Sequence, residues 1–125
     1  IVLMMTPHEV QLVLAVLLGY LPKFRAAGHG PQNDKWFEVE ETQEDYAGAI
    51  RFAVAQGKGA SADRRRVNIT PVDIGLCIGI FMRAARDQLK VDDALLLAAI
   101  KRSAVMYDKS EHARQQRSGG MRRAG

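Results

Sequence analysis

Two stretches of the chain open alike, Thr6-Pro7-His8-Glu9-Val10 and Thr70-Pro71-Val72-Asp73-Ile74. In each, a threonine can cap a first helical turn, proline suits the first helical position, and a carboxylate three residues past the cap can reach back to it. The residues that follow, Val10 to Leu21 and Ile74 to Met82, hold one non-apolar side chain besides glycine, Gln11. Helices of that composition have to be covered, by a core or by other subunits. The reading is a mainly all-α fold, a compact bundle-like domain of about four helices in which two apolar helices form the central pair and two amphipathic ones cover them. The likeness ends after a few residues, so it marks two uses of good capping chemistry rather than an internal duplication.

Working outward, the first helix is predicted from Pro7 to Leu21, where Pro22 lacks a donor and crowds the preceding turn. A short helical continuation runs through Phe24 and ends at Gly28, and Gly28 to Asp34 has the turn chemistry of a loop. A second helix is predicted from Thr42 to about Gly57, because Asp45 follows the cap by three residues and Tyr46, Ala49, Ile50, Ala53 and Val54 fall on one helical face. The third runs from Pro71 to about Leu89, with Gly75 and Gly79 one turn apart where another helix can approach closely. The fourth starts at Asp92 or Asp93, buries Leu97, Ile100, Ala104 and Tyr107, and frays between His112 and Arg117, ending by Ser118-Gly119-Gly120. Trp36 to Glu40 and Val67 to Ile69 have strand character, and read as one very short two-stranded β element or as extended connectors. The domain then spans residues 1–112, and residues 113–125 form a basic, disordered tail.

Nearly half the residues are apolar (47%) and 26% are charged, which describes a chain that folds. The net charge of +4 is uneven: Arg114, Arg117, Arg122 and Arg123 account for all of it. Residues 34–45 set six acids against Lys35, and residues 57–70 set Lys58, Arg64, Arg65 and Arg66 against Asp63. Such segregation steers partners without making the domain uniformly basic. No apolar run approaches the roughly 20 residues of a membrane span. Ile1 to Met5 lacks the flanking regions of a secretory signal, and the single cysteine, Cys77, suits a reducing compartment. A cytoplasmic location is the expectation for the residues present.

The chemistry-bearing residues do not assemble into a catalytic motif. His8, His29 and His112 lack partners at metal-ligand spacing, so no metal site and no cofactor are expected. Cys77 has apolar helical neighbours and Asp73, which oppose a reactive thiolate. Gly57-Lys58-Gly59-Ala60-Ser61 lacks the spacing and order of a phosphate loop. Glu38 and Glu40 share a face if extended, without an orienting partner.

Two binding readings remain. Trp36 and Phe37 beside an acidic run suit a protein interface, and the surplus of apolar helical surface suits a non-catalytic assembly subunit, as a homo-oligomer or in a larger complex. The alternative is a sequence-tolerant nucleic-acid contact through Lys58, Arg64, Arg65 and Arg66 with Arg114, Arg117, Arg122 and Arg123. A small enzyme comes third.

Overall fold

The computed structural model describes residues 1–43 and 47–124, with side chains described through residue 119. The chain runs α1 (Pro7–Leu17), β1 (Lys23–His29), β2 (Lys35–Glu41), β3 (Ile50–Gln56), β4 (Asp63–Ile69), α2 (Pro71–Leu89) and α3 (Asp93–Ala124). The strands form one antiparallel sheet in the order β1-β2-β3-β4. The fold therefore mixes three helices with a four-stranded sheet and is not the all-α bundle expected from the helical patterns.

The decisive correction is β3, which stands where the sequence pattern predicts a helix. Ile50, Phe52 and Val54 alternate with Arg51, Ala53 and Ala55, so strand and helix periods both fit the segment. The helical pattern leaves Phe52 unused, whereas the strand pattern places it with Ile50 and Val54 on one face. Gly48 and Gly57 bracket the segment at φ 91° and 101°, conformations that β-branched residues rarely reach and that turn the chain at both ends. Asp45 and Tyr46, on which the predicted helix start also rests, lie outside the described residues.

Neither predicted short strand pairs with the other. Trp36 to Glu40 lies within β2, between β1 and β3, and Val67 to Ile69 is the end of β4, which pairs with β3. Strand β1 takes up residues whose pattern suggests a helical continuation. Gly19, at φ 83°, ends α1 before Pro22 is reached: Tyr20 N–H donates to the Ala15 carbonyl and Gly19 N–H to that of Val16, the paired bonds of a Schellman close.

Helix α1 starts as read. Thr6 Oγ1 accepts from Glu9 N–H at 3.3 Å and Thr6 N–H donates to Glu9 Oε1 at 2.8 Å, a complete capping box. At α2 the Thr70 side chain caps no backbone group and instead faces Asp73 at 3.5 Å. Helix α3 is capped by Asp92, whose carboxylate accepts from Leu95 N–H at 2.8 Å. It passes Ser118-Gly119-Gly120 and continues to Ala124, so residues 113–124 are helical where disorder is expected from composition.

The core is built on α1, which packs against β1 and β2 on one side and against α2 and α3 on the others. Val13, Leu14, Ala15 and Val16 are fully buried there. The sheet contributes Phe24, Phe37, Val39 and Ile50, and α3 contributes Leu96, Ile100 and Ala104. Leu96, rather than the predicted Leu97, carries the buried stripe of α3. Phe37 sits at the centre, with ring centroids 5.8 Å from Phe24, 5.9 Å from Phe52 and 5.9 Å from His29. Aromatic packing of this kind adds to the area each ring removes from water.

Candidate protein interface

Helix α2 has a composition that calls for burial, yet Ala85 is its only fully buried residue. Ile74, Cys77, Ile78 and Phe81 lean on the core as partly buried side chains. The opposite side is apolar and open: Val72 is 89% exposed, Leu76 67% and Ile80 59%. Gly75 and Gly79 lie on that outer side, and a methyl group added to either would meet nothing within 4 Å. At 100° per residue these positions fall within one stripe, with Arg83 continuing it. An exposed apolar stripe rimmed by charge is the usual mark of a contact surface. Sequence reasoning finds the surplus apolar surface, since Ile74 to Met82 are all apolar or glycine, and assigns it to a central helix pair covered in part by another copy or protein. What it does not reveal is which side of α2 faces outward, because a sheet already occupies much of the space around α1.

The predicted anchors separate across the sheet. Phe37 points into the core and is completely buried, so it belongs to folding rather than to a free surface. Trp36 lies on the other face, half-buried, with the Arg25 guanidinium 4.5 Å from its ring centre.

That outer sheet face also holds two of the predicted arginines. The register aligns Trp36, Ala55 and Arg64 in one rung, Glu38, Ala53 and Arg66 in the next, and Glu40, Arg51 and Asn68 in a third. Glu38 and Glu40 are met by Lys23 at 3.4 and 3.9 Å, and Glu40 by Arg51 at 3.6 Å. Arg64 and Arg66 make no ion pair among the described residues. Arg65 points to the opposite face and binds Asp63 at 3.0 Å, a hydrogen bond that lowers the Asp63 carboxyl below its usual range. Lys58 is exposed in the turn after β3, where its carbonyl accepts from Ser61 at 3.2 Å.

Two further predicted cations, Arg114 and Arg117, lie elsewhere. Arg114 on α3 binds Glu111 at 2.8 Å beside β1, the sheet edge farthest from β4, and Arg117 is exposed further along α3. Arg122 and Arg123 have side chains outside the described set. Among the described residues, the fold thus divides the basic side chains instead of collecting them.

A cleft of about 690 Å³ opens between the β1 edge and α3, lined by Lys23, Arg25, Glu38, Tyr107, Glu111 and Arg114 among others. Its charges are largely matched internally through the Lys23–Glu38 and Arg114–Glu111 pairs. Burial raises the Tyr107 phenol above its ordinary pKa and the Glu111 charge adds to this, against the opposing hydrogen bond from the Arg25 backbone and the Arg114 charge. Among the described residues no group of His, Cys, Asp and Glu is placed to hold a metal ion, and no helix is long and apolar enough to cross a membrane.

No family model, curated protein or solved structure matches this chain. The functional reading therefore rests on the surfaces themselves.

Proposed function

We propose that this protein is a non-catalytic assembly subunit whose contact surface is the outer face of α2. The observation that carries the reading is the exposure of Val72, Leu76 and Ile80 on a helix that shows the core its other apolar side. Covering such a stripe removes apolar area from water at about 25 cal/mol per Å², and gives the surplus hydrophobicity of α2 a role. A reducing, cytoplasmic setting suits its free Cys77. Light scattering after size exclusion, at low and high salt, tests the idea. The expected result is an oligomer that Leu76→Glu converts to monomer with unchanged circular dichroism. An identical mass for the wild type and Leu76→Glu would sink it.

A second reading has one specific support, Arg64 and Arg66 on the open sheet face, neither in an ion pair among the described residues. These would neutralise phosphates of a nucleic acid without reading bases. Binding of a generic duplex at low salt, lost in Arg64→Ala/Arg66→Ala, is its expected signature, and duplex binding that survives this change removes it.

A further inference from the structure

We infer that the partner of the α2 face is a second copy of this chain, docked with its own α2 antiparallel. The inference rests on the assembly reading above and adds its occupant and geometry. It starts from spacing: Asp73, Leu76, Ile80, Arg83 and Asp87 recur at intervals of three and four, the seam of a two-helix coiled coil. In an antiparallel pair related by a two-fold axis beside Ile78, residues whose numbers are equidistant from 78 face one another. Leu76 then meets the partner copy's Ile80, and the reciprocal contact repeats it. The flanking layers place Asp73 against the other copy's Arg83, again twice.

Charge selects this arrangement. In a parallel pair each residue meets itself, so Asp73 would oppose Asp73 and Arg83 would oppose Arg83, which is destabilising. In the antiparallel pair both layers are complementary. Arg83 is free for the role, with no ion pair among the described residues, and Asp73 has only the 3.5 Å contact with the Thr70 hydroxyl. Gly79 lies beside the two-fold axis, and with open space around it allows the two backbones to close. The contact is isologous, so it closes at two copies and does not propagate. A seam of this length is smaller than the roughly 1,200–2,000 Å² of standard stable interfaces, so the dimer depends on concentration.

The test uses paired charge reversals on the full chain. Asp73→Arg alone and Arg83→Asp alone each create two like-charge layers, and are expected to raise the dimer dissociation constant at least tenfold in sedimentation equilibrium. An equal mixture of the two variants restores every layer and is expected to recover the wild-type constant, as is Asp73→Arg/Arg83→Asp in one chain. Orientation is read by disulfide trapping in a Cys77→Ser background. Gly79→Cys is expected to cross-link, whereas Val72→Cys is not, because at 1.5 Å per residue its two copies lie about 18 Å apart along the seam. Efficient cross-linking through Val72→Cys, or a wild type that remains monomeric, overturns the proposal. If Leu76→Glu abolishes association while the reversals change nothing, the α2 reading stands and this pairing falls.

Discussion

Glu9 performs two tasks with two oxygens. One accepts from the Thr6 backbone in the capping box, and the other meets His29 Nε2 at 2.6 Å across the start of the sheet. A residue recognisable in sequence as a helix cap is therefore also the clasp between α1 and β1, which no local pattern reveals. Glu9→Ala removes both contacts and is expected to cost about 1–3 kcal/mol in urea denaturation. The neighbouring pair Trp36 and Phe37 teaches a related lesson, since one residue of register divides them between solvent and core. Phe37→Ala is expected to cost about 3–5 kcal/mol, and Trp36→Ala, which loses mainly the Arg25 stacking, about 1 kcal/mol. Equal losses from the two would contradict the packing described. Tyr107 supplies a pH dependence. Burial disfavours its ionised form, so the folded protein holds the phenolic proton more tightly than the unfolded chain. That stabilisation is complete below the unfolded value near ~10 and is lost as pH rises through the higher folded value. Tyr107→Phe should flatten the alkaline fall in stability measured by denaturant midpoint.

At the scale of elements, the helix starts at Pro7 and Pro71 and the end of α2 at Leu89 were legible, because capping and proline chemistry act locally. The sheet was only partly legible. In β3 both periodicities fit, and the choice is made by cross-strand partners such as Phe37 opposite Val54 and Val39 opposite Phe52, which lie distant in sequence. In β4 the arginines hid the strand, since an edge strand needs no apolar alternation when most of its residues face water. Of the candidate site, the surplus of apolar surface was legible and its location was not. A helix with two apolar sides shows from sequence that something covers it, whereas which side faces inward depends on α1 and the sheet. The outer side should consequently tolerate polar change. Leu76→Ser in dilute, monomeric protein is expected to shift unfolding by less than about 0.5 kcal/mol, against about 2–5 kcal/mol for Leu14→Ala in the core. A large loss from Leu76→Ser would show that α2 supports the fold through that face.

For the whole molecule, the net charge of +4 proves less informative than its placement. The fold puts Arg64 and Arg66 at one sheet edge and Arg114 by the other, so these arginines form separate fields and not one footprint. The β4 edge has a further consequence. Its outer backbone groups have no neighbouring strand among the described residues, and an unguarded edge invites the same edge of another molecule to add to it. Two copies joining there about Arg66 would set that guanidinium against its own image, with Arg64 and Arg65 crowding close by. Arg64→Val/Arg66→Val should therefore keep the monomer fold yet grow thioflavin-positive fibres on standing, and a variant that stays clear would show the edge to be safe without charge. The arginine row is in this sense a fence against polymerisation, and one made of charge is lowered by anything that screens it, so concentrated salt or a polyanion should bring this protein out of solution.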